Sequence, residues 1–272
     1  MKLNRRLITV VLLVGILSII VNVFFKLIPL HIGYTRGSYS VMAYNIHSTG
    51  PDFDIDAPQI AQLIINEDPD FVYLTEFYEN RGDTLDELLR QHYPFYDTTH
   101  RWGQNEGDAF YSEWKIDSVN RFFLNGERIM AYRVQVSLLS DTFAMYCCHL
   151  ASNNVNSQIT TWESVIKGFR KREQEVCEIL KHVRKDKYPC IILGDLNDVS
   201  GSPTLNAIEN AGFEEAWWNG GLGYGITFHN DWLRLRIDHI LYDTNFDLCG
   251  IRVLNADYSD HDALVGSFNL KR

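Results

Sequence analysis

In the run CIILGDLND, Asp195 and Asn197 stand two residues apart where an apolar stretch gives way to polar residues. Both types can work on a phosphate ester, because a carboxylate accepts a proton from water and a carboxamide donates to an anionic oxygen. Gly194 just before them permits a close turn. A capping turn ahead of a helix at Pro203 would explain the same motif, so it does not decide the matter alone. The rest of the chain repeats the signal. Asn45, Glu76, His149, Asp238, Asp260 and His261 each adjoin an apolar strand pattern, a recurrence that capping does not explain. Asp238 of RIDHI lies in a β-like run where an unpaired carboxylate is costly to bury, and it can satisfy and orient His261 of YSDH. Glu76, closing FVYLTE, is a hard oxygen ligand suited to magnesium or manganese, with Asn45 and Asp260 as candidate companions. Zinc fits less well, since no compact His/Cys cluster is present.

Such side chains need strands to carry them and loops to present them. Tyr39 to Ile46 alternates and ends in a polar patch, as a strand leading into a loop should. Apolar runs predict further strands at Phe71 to Glu76, Val119 to Leu124, Ile129 to Leu139, Thr142 to Leu150 and Cys190 to Asp195. Three more are expected near Arg236 to Tyr242, Cys249 to Leu254 and Ala263 to Leu270. Helical patterns fall near Pro58 to Asn66, Thr84 to Gln91, Gln158 to Lys185 and just after Pro203. Mixed strands with interspersed helices predict a layered α/β sandwich over a regular parallel repeat. Within the long helix, Arg170, Lys171 and Arg172 could meet an anionic substrate or lipid headgroups. Interspersed Glu173, Glu175 and Glu178 favour a solvated face instead. Trp217 and Trp218, ahead of several glycines, read equally as a substrate-side loop or as core packing. His31, His47, His92, His100, His182, His229 and His239 match no motif and read as surface or strand residues.

From Leu7 to Phe25 the chain runs nineteen residues without a charge, about 28 Å as a helix and close to the thickness of a hydrocarbon core. A membrane helix is expected at residues 7–25, uncleaved, because no small-x-small site follows it. Lys2, Arg5 and Arg6 precede it against Lys26 and Arg36 after it, which places the N-terminus in the cytoplasm and the following domain outside. Residues 1–36 thus read as anchor and linker, and 37–272 as one catalytic domain. Five of the 25 basic residues and none of the 35 acidic ones precede position 37, so the domain holds 20 basic against 35 acidic residues, a net charge of −15. That balance suits long polyanions poorly, so nucleic acid is a possible but disfavoured partner. The five cysteines lack metal-site spacing and disulfide-scaffold density. Adjacent Cys147 and Cys148 should point to opposite faces of a strand.

Taken in order, MAYNI around Asn45, YLTE ending at Glu76, CHL around His149, GDLND, RIDHI and SDH ending at His261 resemble the endonuclease/exonuclease/phosphatase superfamily, or DNase I-like fold, from Tyr39 to Leu270. The resemblance implies a four-layer α/β sandwich: two mixed β-sheets face to face, flanked by helices, with the polar residues at one end. It implies divalent-metal-dependent hydrolysis of a phosphate ester, with Mg2+ or Mn2+ held by Glu76 beside Asn45 and Asp260. Asp195 would orient or deprotonate the attacking water, and Asn197 would donate to a phosphate oxygen. His261, held by Asp238, would bind the phosphate, and His149 would be the second histidine on that side and a proton donor. GDAFYS, Gly107 to Ser112, departs from the pattern, since many relatives carry a more apolar residue at the position of Asp108. GYGITF followed by RIDHI resembles membrane-associated hydrolases of lipid-linked phosphates. The expected substrate is a phosphate mono- or diester, lipid-linked or a small envelope metabolite. An anchored or secreted nuclease and a non-catalytic binding module are the alternatives.

Overall fold

Strand β1 (Tyr39–Asn45) is buried along its whole length rather than on one face. Its alternation survives in what the faces meet: Val41 and Ala43 join one apolar cluster, Met42 and Tyr44 another. A strand covered on both sides must lie inside a stack of layers. The computed structural model describes residues 34–78, 81–100, 106–124, 128–138, 141–152, 162–230, 233–255 and 257–271. The expected membrane segment at 7–25 lies outside them, and among the described residues no helix is long and apolar enough to cross a membrane.

Two six-stranded sheets form the centre, and a separate two-stranded ribbon pairs β10 (Phe228–His229) with β11 (Arg234–Leu235). The first sheet has the order β13-β14-β1-β2-β4-β3, with β2 (Phe71–Tyr78), β3 (Phe95–His100), β4 (Glu106–Ser112), β13 (Phe246–Leu254) and β14 (Ala263–Leu270). The second has the order β5-β6-β7-β8-β12-β9, with β5 (Ile116–Leu124), β6 (Arg128–Leu138), β7 (Asp141–His149), β8 (Cys190–Asp195), β9 (Glu214–Glu215) and β12 (Asp238–Tyr242). Both sheets are mixed. In each, the parallel pair, β1 with β2 or β7 with β8, is flanked by antiparallel neighbours. Val41, Phe71, Phe143, Met145, Ile191, Leu193 and Phe268 fill the space between the sheets.

The outer faces are covered by helices. Against the first sheet pack α1 (Phe53–Glu67) and α2 (Asp83–His92) through Phe53, Ile60, Ile64, Leu85 and Leu89. Against the second pack α3 (Trp162–Val183) and α4 (Pro203–Asn210) through Val176, Ile179, Leu180, Leu205 and Ile208. Cys147 faces the inner cluster and Cys148 the outer one, both as free thiols.

Several local expectations need correction. Helix α1 begins at Phe53 and carries Pro58 inside it, whereas the sequence placed the proline at its start. Strands β3 and β4 were not expected, because TTH and EGD lack apolar alternation. The Trp217 segment is a short helix, α5 (Ala216–Gly220), with Trp217 buried in the core and Trp218 exposed. Arg172 is not on a solvated face but fully buried. Residues 34–38 are fastened to the domain. The Tyr34 ring lies 4.0 Å from the Arg252 guanidinium, Arg36 Nη2 donates to Asp68 O at 2.9 Å, and Gly37 N donates to Ser267 Oγ at 2.6 Å.

Candidate active site

The parallel pairs β1/β2 and β7/β8 terminate at one end of the sandwich, with Asn45 beside Thr75 and His149 beside Asp195. The polar residues therefore stand at strand ends, where the backbone ladder stops. Asn45 spans the gap between the sheets: its Nδ2 donates to Glu76 Oε1 and to Asp195 Oδ2, both at 3.1 Å. Its Oδ1 accepts from His47 N at 3.1 Å. Asn45 thus holds two carboxylates, one from each sheet, in a fixed relation.

Unusual backbone aims these groups. A bulge in the pairing of β2 with β4 falls between Thr75 and Phe77, and Glu76 there adopts φ +56°. For a residue with a Cβ that conformation is strained. Ser48 secures it, since its N and Oγ both donate to Glu76 O, at 3.2 and 2.6 Å. Gly194 lies at φ +126°, where a Cβ would sit 2.1 Å from Cys148 O, so only glycine allows β8 to approach β7 so closely before Asp195. Asn197 adopts φ +52°, its N–H donating to Asp195 Oδ1 at 2.8 Å and its Nδ2 to Leu150 O at 3.1 Å.

His261 enters from the loop before β14. Its Nδ1 lies 2.8 Å from Asp238 Oδ2, and its Nε2 lies 3.9 Å from Asp195 Oδ2. Burial opposes the charge on this imidazole, but Asp238, with Asp195 and Asp260, outweighs it and pushes the pKa up to about 10. His261 is therefore a cation at neutral pH. His149 Nε2 lies 4.0 Å from Asp195 Oδ2, so two imidazoles flank that carboxylate. Burial, then the charge of Asp238, raises Asp195, while His261, His149 and Asn45 partly offset this. Asp260 is held below the usual carboxylate range against its burial, by the hydrogen bond from His47 and the charges of His261 and His47.

All eight residues singled out from the sequence thus gather at this end. Three others stand with them that the sequence did not assign to the site. His47, at φ +41°, places Nδ1 3.2 Å from Asp260 Oδ1 at the mouth of the site. Thr227 Oγ1 accepts from the backbone N–H of Ile237 and Asp238, at 3.1 and 3.0 Å, and so fixes the start of β12. Asp108, on buried β4, lies with Oδ1 3.7 Å from His149 Nδ1 and accepts from Tyr132 Oη at 2.7 Å. Its departure from the family pattern therefore supplies a second carboxylate behind a second histidine.

A divalent cation fits the chemistry of this end. Glu76 and Asp260 are oxygen donors of the kind magnesium and manganese take. Asp195, Asp238 and His261 also bring ligand atoms within 4.8 Å of one another. The His261–Asp238 hydrogen bond occupies part of that second group, which makes it the poorer cage.

Two face-to-face mixed sheets with carboxylates, amides and histidines at one end define a DNase I-like α/β sandwich of hydrolytic type. The chain belongs to the endonuclease/exonuclease/phosphatase family, whose model matches residues 42–261. It is a metal-dependent hydrolase of phosphoester bonds. Among solved structures it resembles an endonuclease/exonuclease/phosphatase family protein from Bacteroides thetaiotaomicron, at 18% identity and TM-score 0.70, over 88% of this chain and 100% of that one. It also resembles truncated TDP2 from Caenorhabditis elegans, at 17% identity and TM-score 0.63, over 85% of this chain and 97% of that one. A third is the 3' phosphatase NExo from Neisseria bound to product DNA hairpin, at 15% identity and TM-score 0.64, over 85% and 100%. At these identities the likenesses establish the fold alone. No curated protein matches the chain significantly.

Proposed function

We propose that this protein is an extracytoplasmic phosphoesterase, tethered by a membrane helix at residues 7–25, that uses Mg2+ or Mn2+ to hydrolyse a small or lipid-linked phosphate mono- or diester. The bridging of Glu76 and Asp195 by Asn45 carries the reading, because it sets a metal-side carboxylate beside a water-side one. Glu76 and Asp260, with Asn45 beside them, would hold the cation, which when bound neutralises charge on a phosphate oxygen. Asp195 orients the attacking water and takes its proton. The protonated His261, oriented by Asp238, donates to a non-bridging oxygen whose charge grows in the transition state. Asn197 gives one amide hydrogen to Leu150 O and has a second for the same phosphate. His149, backed by Asp108, donates to the leaving oxygen.

The domain's net charge of −15 supports a compact substrate over a long polyanion. The test is hydrolysis of a panel of inositol phosphates, phospholipids, prenyl pyrophosphates, simple phosphate esters and DNA, with Mn2+ or Mg2+ and with chelator. Metal-dependent turnover of a small or lipid-linked ester is expected. Preferential cleavage of DNA would make the protein a nuclease, and chelator-insensitive or absent turnover would overturn the proposal.

A further inference from the structure

Arg172 is the largest fully buried side chain of α3, and no step above uses it. Its Nε donates to Asp198 Oδ2 and its Nη1 to Ala151 O, both at 3.1 Å. Glu175, on the same helix, accepts from Ala151 N at 2.8 Å. Asp198 directly follows Asn197, and Ala151 lies two residues after His149. One guanidinium therefore ties together the two loops that present those residues, which are also joined through Asn197 Nδ2 and Leu150 O. From the opposite side, His239 Nε2 lies 2.8 Å from Asp198 O, and its Nδ1 lies 2.8 Å from Glu215 Oε1. Glu215 is also paired with Arg236 and accepts from Ser200 Oγ at 2.8 Å.

The placement of this frame matters more than its size. It lies on the sheet that carries His149, Asp195 and Asp238, and none of the hydrogen bonds described above runs to Asn45, Glu76 or Asp260, the metal side. Because a single side chain grips both site loops, its length and shape set their separation. A planar guanidinium holds two acceptors at a fixed spacing, which an ammonium cannot do. We propose that Arg172, supported by Glu175, Asp198 and His239, is a positioning residue that sets the distance between His149 and Asn197 and so shapes the phosphate side of the site. The proposal rests on the reading of those two residues as phosphate-side groups.

The test compares full-length wild type with Arg172→Lys, which keeps the charge but cannot span both loops, and with Asp198→Asn, which keeps volume and an acceptor. Calorimetry would measure Mn2+ binding, then binding of inorganic phosphate to the Mn2+-loaded protein, alongside kcat. The expected result is Mn2+ affinity within about twofold of wild type, phosphate affinity weaker by about tenfold, and kcat lower by up to about a hundredfold, as a displacement near 1 Å produces. Unchanged phosphate affinity and kcat would overturn the proposal. So would a loss of metal affinity as large as that of phosphate, or failure of both variants to fold, which would make the frame a requirement of folding alone. A wild type that binds phosphate but hydrolyses nothing defeats the proposed function only, because the phosphate titration still reads the spacing. A wild type that binds no phosphate overturns both.

Discussion

Replacing Asp238 by Asn should move the alkaline limit of activity. Asp238 Oδ2 lies 2.8 Å from His261 Nδ1, and the imidazole it supports titrates near 10 in place of 6.5. The rise from 6.5 to about 10 amounts to on the order of 5 kcal/mol favouring the protonated ring. An amide keeps the shape but removes the charge, leaving burial opposed by Asp195 and Asp260, so the His261 pKa should fall back toward that of an ordinary imidazole. The alkaline limb of kcat/KM then moves down toward neutrality, and a ring with an ordinary imidazole pKa would leave the rate at about pH 8 lower by roughly thirtyfold. Stability changes with a definite sign. A histidine raised in the folded state contributes stability that is fully present below its unfolded pKa of 6.5 and is lost as pH rises through about 10. The gap in unfolding free energy between wild type and Asp238→Asn should therefore approach about 5 kcal/mol in mild acid and narrow across that window. Metal-free urea unfolding at several pH values, with the His261 ring signal followed by NMR, reads both effects. An alkaline limb that does not move, or a gap that stays constant from pH 6.5 to 10, refutes the reasoning.

Asp108→Asn should lower kcat by about tenfold to a hundredfold with KM and Mn2+ affinity unchanged, because its carboxylate faces the ring of His149 and accepts from Tyr132 Oη; an equal rise in KM would place Asp108 in substrate binding instead. A soluble form beginning at Tyr34 should be more stable to unfolding than one beginning at Tyr39, by roughly 2 to 4 kcal/mol, and melt at a higher temperature, since the shorter form loses the Tyr34–Arg252 contact and the bonds from Arg36 and Gly37. Identical melting of the two forms would show that residues 34–38 contribute nothing. Protease added to intact cells or spheroplasts should digest the domain, and protection there would place it in the cytoplasm.

The site residues were legible because each closes or opens an apolar run, as Glu76 does in FVYLTE and Asp195 in CIILGD, and a buried strand end leaves few neighbours to mistake for it. Their partners were hidden because sequence shows period and not contact. Asp108 sits in a strand whose first residues are polar, and only the register of β4 against β2 brings it under His149. Arg172 belongs to an ordinary charged helix pattern, and its burial follows from acceptors at Ala151 and Asp198, more than twenty residues away on either side. Nothing in RIDHI distinguishes His239, turned to Glu215 and Asp198, from its neighbour Asp238, turned to His261. The extra length of α1 was missed because Pro58 reads as a helix start, although here it is an interior residue.

The division of labour between Glu76 and Asp195 is the centre of the account, and Mn2+ calorimetry with single-turnover rates at rising Mn2+ tests it most directly. Glu76→Gln should bind Mn2+ more weakly and recover part of its rate as the metal is raised, because a neutral amide replaces a charged ligand. Asp195→Asn, folded to the same melting temperature in chelator, should bind Mn2+ nearly as wild type does and recover nothing, because it lacks the group that takes the proton. Wild-type metal affinity in Glu76→Gln, or rescue of Asp195→Asn by metal, would contradict the assignment.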